Sequence, residues 1–256
     1  MIFDTHAHYD DEAFQEDREE LLGSMREHGI GKIVNVGASL RGVEDTCKLM
    51  QRYDFIYGAL GVHPDEVGEL TEEWMTRLAE MLSSEKAVAV GEIGLDYYWD
   101  KEGHDIQKYW FVRQMELAKK MDLPIVVHSR DAAKDTFDCI REHHRGCTGG
   151  VIHCYSGSVE MAKEYVKMGY FLGVGGVITF KNARVLKEVV AEIPLEHLVV
   201  ETDCPYLAPT PYRGKRNSSL YLPKMIEAIA QIKKLEAEEV ERITWENAHR
   251  LYRLPM

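Results

Sequence analysis

The sequence predicts a parallel α/β fold, a (β/α)8 barrel, on three observations. Eight short runs rich in β-branched residues alternate with amphipathic segments along the 256 residues, the order that strand–helix units of a parallel sheet produce. Ionisable residues stand at the carboxyl ends of those runs, above small or apolar ones, as inward positions of a barrel do beneath an active site. Five of the eleven histidines (His6, His8, His63, His128 and His153) fall at such ends, while His28, His104, His143, His144, His197 and His249 fall on helices or loops.

The first strand, residues 2–8, opens on Ile2-Phe3 and ends on His6 and His8; positions i and i+2 share a face, so both imidazoles aim at one spot with Thr5 and Ala7 turned away. Helical periodicity follows over 12–28, then a strand over 32–37 and a helix over 43–52. The third strand, 55–63, puts Ala59, Gly61 and His63 on one face, and a helix follows over 72–83. The fourth, 87–95, puts Val88, Val90 and Glu92 together, before a helix over 105–120. The fifth, 124–128, aligns Val126, His128 and, one step beyond, Arg130, before a helix over 132–144. The sixth, 150–155, aligns Val151 and His153, before a helix over 160–167. The seventh, 170–178, precedes a helix over 183–192, and the eighth, 197–203, aligns Val199, Glu201 and Asp203. Helices over 221–233 and 237–252 close the chain. An open dinucleotide-binding sheet is the rival, but no G-x-G-x-x-G follows the first strand. Gly173-Val174-Gly175-Gly176 reads as small residues where a barrel strand leaves room for a ligand.

Composition narrows the class. At 45% hydrophobic content, with no linker or low-complexity tract, residues 1–256 are expected to form one domain. A net charge of −12 argues against a dedicated nucleic-acid coat, though not against an enzyme that meets phosphates locally. Cys47, Cys139, Cys147, Cys154 and Cys204 are odd in number and lack any CxxC spacing, the pattern of reduced thiols. The amino terminus has no signal-peptide pattern, and the mostly apolar stretch 170–180 is too short to span a bilayer. A soluble, cytoplasmic protein with no membrane association and no obligatory protein partner is the expectation.

Four histidines and two carboxylates suffice for a dinuclear metal site. His6, His8 and Asp203 are assigned to one ion, His128 and His153 to the other, and Glu92, on a strand between them, bridges. Such an oxygen–nitrogen set leaves positions open for water, unlike closed structural zinc sites. Two ions can clamp the oxygens of an in-line displacement at phosphorus, and Asp203 is placed to accept the proton of the attacking water.

The series Asp4-Thr-His-Ala-His8, Gly61-Val-His-Pro64, Gly91-Glu-Ile-Gly-Leu-Asp-Tyr97, Val127-His-Ser-Arg-Asp131, His153-Cys-Tyr-Ser-Gly157, Glu201-Thr-Asp-Cys-Pro205 and Arg213-Gly-Lys-Arg-Asn217 resembles the TatD family of metal-dependent, amidohydrolase-type hydrolases, described as deoxyribonucleases. The resemblance implies a (β/α)8 TIM barrel, two divalent ions and phosphodiester hydrolysis. Carried over by position, its metal ligands fall on His6, His8, Glu92, His128, His153 and Asp203. Many relatives continue the Arg-Gly-Lys-Arg-Asn run with Glu-Pro, where Ser218-Ser219 stand here. His63 resembles a histidine that contacts substrate or supports a ligand; a purely structural role is the rival. Arg130 is expected either to hold a phosphate oxygen or to pair with Asp131 or Asp135. Glu201 is expected to orient a ligand or to recruit another ion. Lys181 and the Arg213/Lys215/Arg216 cluster place positive charge on loops where barrels often bind phosphate. Tyr97, Tyr98, Trp99, Tyr155, Tyr206 and Tyr212 stand on neighbouring loops, to stack bases of a single strand or to pack the loops together. The leading expectation is a DNA phosphodiesterase acting on single strands or frayed ends with two divalent cations, magnesium, manganese or zinc. Amide, lactone, ester or tRNA-ester hydrolysis by the same centre is the alternative, and a non-catalytic barrel a third.

Overall fold

A computed structural model describes residues 1–100 and 102–256. Eight parallel strands, β1 (Ile2–Ala7), β2 (Ile30–Gly37), β3 (Ile56–Leu60), β4 (Ala87–Asp96), β5 (Ile125–Arg130), β6 (Gly150–Ile152), β7 (Tyr170–Val174) and β8 (Leu198–Val200), pair in sequence order. A bridge between Ala7 and Cys204, with the His8 amide donating to the Cys204 carbonyl at 2.9 Å, brings the two edges together into a nearly closed barrel. Helices α1 (Arg18–Ser24), α2 (Leu40–Arg52), α3 (Glu72–Met81), α4 (His104–Met121), α5 (Ala133–His143), α6 (Val159–Lys167), α7 (Arg184–Glu192), α8 (Leu222–Lys233) and α9 (Ala237–Tyr252) intervene or follow. The (β/α)8 expectation holds. None of the helices among the described residues is long and apolar enough to cross a membrane.

Two apolar clusters follow from strand alternation. Ile33, Ile56, Leu60, Ile125, Val127, Ile152, Leu172 and Val200 face the helices. Phe3, Val34, Ala59, Val88, Val126, Val151 and Val199 fill the barrel interior, where Leu251 and Tyr252 of α9 join them. Strand parity fails in β4. Val88 and Ala89 both join the interior cluster, whereas Val90 packs with the helices. Gly58 pairs with Ala87 but Ala59 with Ala89, so β4 carries an extra residue against β3. A second irregularity follows against β5, where Val90 pairs with Ile125 but Ile93 with Val127. Such bulges re-aim the residues beyond them, and between Val90 and Ile93, Glu92 turns to the barrel mouth.

Strand ends also differ from expectation. β6 stops at Ile152 and β8 at Val200, so His153, Glu201 and Asp203 stand on the loops just above the sheet. The extended run cannot continue there, because Cys154 (φ 44°) and Asp203 (φ 56°) adopt left-handed backbone. β3 ends at Leu60 and leaves His63 beyond it as the N-cap of a 3-10 turn (Pro64–Glu69). β7 gives way to a 3-10 turn (Gly176–Thr179), and a Cβ on Gly176 would meet the Leu207 carbonyl at 2.1 Å. The helix expected over 12–28 is divided: α1 is flanked by 3-10 turns at Glu12–Phe14 and Arg26–His28, the second closed by left-handed Gly29.

Candidate metal centre

At the carboxyl mouth of the barrel, β1, β4, β5 and the loops after β3, β6 and β8 bring five imidazoles and four carboxylates together. His6 Nε2 lies 3.0 Å from His8 Nε2, 3.4 Å from Glu92 Oε2 and 3.7 Å from Asp203 Oδ1. His8 Nε2 lies 3.3 Å from Asp203 Oδ1 and 3.8 Å from Glu92 Oε2. Donors around an ion at about 2.1 Å stand roughly 3.0 Å apart on an octahedral edge and roughly 3.4 Å on a tetrahedral one. The four atoms are already near cage spacing. Glu92 turns its other oxygen, Oε1, to His128 Nδ1 (2.8 Å), His153 Nε2 (3.8 Å) and His63 Nε2 (4.0 Å).

Three of the nitrogens facing away from the cage stand against oxygens. His8 Nδ1 meets the Val36 carbonyl at 2.8 Å, His128 Nε2 meets Asp96 Oδ2 at 3.0 Å, and His153 Nδ1 lies 3.2 Å from Glu201 Oε1. Carboxylates and carbonyls behind histidines in this way fix tautomer and ring orientation around a metal. His6 stacks on His153 with ring centroids 3.6 Å apart. His6 Nδ1, His153 Nδ1 and Glu201 Oε2 are buried without a hydrogen bond of good geometry among the described residues.

Charge explains why the cluster suits cations. Burial alone would raise Glu92, yet His153, His6 and His128 outweigh it and hold the carboxyl well below its usual range. Burial likewise opposes ionisation of Asp203, but His153 and His8 keep it below the ordinary value. Burial pulls His8 and His128 down, and the carboxylates facing them (Asp203 and Glu92 for His8, Asp96 and Glu92 for His128) push each up to about 9. His63, whose burial dominates, falls to about 4 and is neutral at pH 7. Buried carboxylates here need positive charge beside them, a role that protons on His8 and His128 can fill and that divalent ions fill with more charge. The donor set fits divalent cations, and all six residues expected as ligands lie in it.

Two site residues escaped the sequence reading. Asp96, 1% exposed, accepts from the Tyr98 and Trp99 amides at 2.9 and 3.0 Å while it faces His128. Its spacing of four from Glu92 was the available signal, but the expected strand stopped at Leu95. Buried Asp4 accepts from Ser219 Oγ at 2.6 Å and Thr202 Oγ1 at 2.7 Å. The Ser219 amide donates to the Tyr9 hydroxyl at 2.9 Å. Ser219 therefore ties the loop after β8 to β1 through a donor that proline at this position lacks.

The expected substrate contacts divide. Arg130 pairs with neither Asp131 nor Asp135; its guanidinium lies 4.0 Å over the Tyr98 ring, while Asp135 binds Lys108 and the Tyr97 hydroxyl. Lys181, Arg213 and Lys215 are exposed, and Arg213 lies over Phe180 at 4.1 Å. Arg216 is otherwise engaged: it grips Asp17 at 2.7 Å and the Ala13 carbonyl at 2.7 Å, holding the loop onto the segment before α1. Tyr97 stacks on His104, Tyr155 is buried against Ser158, and Tyr212 stacks on Tyr221, so these three pack loops. Tyr98, Trp99 and Tyr206 are exposed.

A family model described as TatD related DNase matches residues 3–253. The metal-dependent hydrolase YabD of Bacillus subtilis, named as uncharacterized, is 45% identical over 254 residues, covering 99% of this chain and all of that one. YcfH of Escherichia coli K12, named likewise, is 32% identical across 99% of this chain and 96% of its own. The crystal structure of YjjV, a TatD homologue of Escherichia coli K12, superimposes with a TM-score of 0.93 at 31% identity, covering 99% and 98% of the two chains.

Proposed function

The chain belongs to the TatD family of metal-dependent hydrolases, and from that premise we propose that it is a two-metal phosphodiesterase that hydrolyses DNA at single strands or frayed ends. The observation that carries the reading is Glu92, whose Oε2 faces His6 and His8 while its Oε1 faces His128 and His153. One carboxylate between two nitrogen-rich pockets is the arrangement of a bridging ligand. His6, His8 and Asp203 would hold one ion and His128 and His153 the other. When bound there, divalent ions polarise a phosphoryl oxygen and make a water more acidic. Asp203, kept ionised by its histidines and 16% exposed at the side chain, would accept a proton from the attacking water. Glu201 and Asp96 hold the rings of His153 and His128 in place. His63, neutral at pH 7, is set to donate to or accept from the substrate. Arg130 on one flank, and Lys181, Arg213 and Lys215 on the other, offer positive charge that a polyanion needs and a neutral small ester or amide does not, which weighs against small-molecule ester or amide hydrolysis. Imidazole donors suit zinc, and the carboxylates suit magnesium and manganese.

Glu92→Ala and Asp203→Ala proteins, assayed with manganese or magnesium on 5′- and 3′-labelled single- and double-stranded DNA, should lose at least a hundredfold in rate while keeping native circular dichroism. Nuclease rates equal to wild type in both variants would refute the assignment.

A further inference from the structure

Resting on that reading, we propose that Trp99, with Tyr98 and Arg130, forms a nucleobase-stacking subsite beside the metal centre, so that the substrate is a nucleic-acid segment with one unpaired base laid on the indole. Seven large hydrophobic residues other than the two terminal methionines are exposed among the described residues, and four of them, Tyr98, Trp99, Tyr206 and Leu207, stand on loops at the barrel mouth. Isolated exposed apolar residues are ordinary; their concentration around a candidate catalytic centre is what needs a reason. Trp99 is 67% exposed and Tyr98 45%, and the two rings meet edge to face at 4.8 Å. Arg130 lies over both rings, 4.0 Å from Tyr98 and 5.5 Å from Trp99, with no carboxylate bound to it among the described residues. An open indole face next to an unpaired guanidinium matches the two halves of a nucleotide, a base to stack and a phosphate to neutralise.

The subsite is wired to the chemistry. Both aromatic residues hang by their amides from Asp96 Oδ1, and Asp96 Oδ2 meets His128. Arg130 stands two residues after His128 on β5. A base seated on Trp99 therefore docks on the loop that the His128 carboxylate anchors, which sets the phosphodiester register against the centre. A duplex keeps its bases stacked inward, so the subsite selects unpaired ends.

The test is steady-state kinetics of the manganese-loaded protein on a single-stranded oligothymidylate, comparing wild type, Trp99→Ala and Trp99→Phe. The alanine variant should raise KM about five- to hundredfold, the span of one lost base stack. Its kcat and bound manganese should stay at wild-type values, and phenylalanine should restore most of the KM. An unchanged KM in Trp99→Ala overturns the subsite and leaves the nuclease reading standing. Parallel loss of kcat and manganese shows a structural role and also overturns it. A wild-type protein that cuts no oligonucleotide removes the nuclease reading, and the subsite with it.

Discussion

Two imidazoles of the centre are defined by what stands on both their sides. His8 faces Asp203 with Nε2 and the Val36 carbonyl with Nδ1; His128 faces Glu92 with Nδ1 and Asp96 with Nε2. Both are pushed up to about 9 in the metal-free protein because, although burial opposes it, carboxylates surround them. The sign of the linkage follows. A ligand nitrogen must lose its proton to bind a cation, so metal affinity should rise with pH through about 9, up to about tenfold per unit for each proton released. Raised histidine values also stabilise the metal-free fold fully below about 6.5, the ordinary imidazole value, and that contribution is lost as pH rises through about 9. Isothermal titration of manganese in buffers of different ionisation enthalpy reads the protons released. Affinity independent of pH between 6.5 and 9 would contradict the charge account.

The loop after β8 shows what an element adds that its residues do not announce. Arg213, Lys215 and Arg216 read as one basic cluster because they are neighbours in sequence, yet Arg216 reaches Asp17, 199 residues away. No local pattern reveals such a partner. Substitution should separate them: Arg213→Ala and Lys215→Ala should each raise KM for DNA severalfold, while Arg216→Ala changes KM less than twofold. An Arg216 effect on KM as large as the other two would place its guanidinium on the substrate. Strands and helices were legible from alternation because burial on one face dictates it. Their ends were less so, since the left-handed turns at Cys154 and Asp203 and the bulge in β4 are set by tertiary contacts. Val90 misled for that reason, and Asp96 was passed over because the strand reading stopped one residue short.

Barrel closure is what makes a centre out of these pieces. Its six candidate ligands come from β1, the residue just past it, β4, β5 and the loops after β6 and β8, and the first and last stand 197 positions apart. A sheet that failed to bring β8 back to β1 would leave His6 and Asp203 apart; the Asp203 amide donating to the His6 carbonyl at 3.0 Å is the join. The convergence of histidines on strand ends was legible because parity and the barrel's polarity dictate it together. Pairing of Glu92 oxygens with the two pockets was not, since it depends on how the bulge turns the side chain. Equilibrium dialysis of manganese against the metal-stripped protein tests that pairing most directly. Wild type should bind two equivalents and Glu92→Gln fewer than one at the same free concentration. Two equivalents retained by Glu92→Gln, or a wild type that saturates at one, would contradict a centre bridged by this carboxylate.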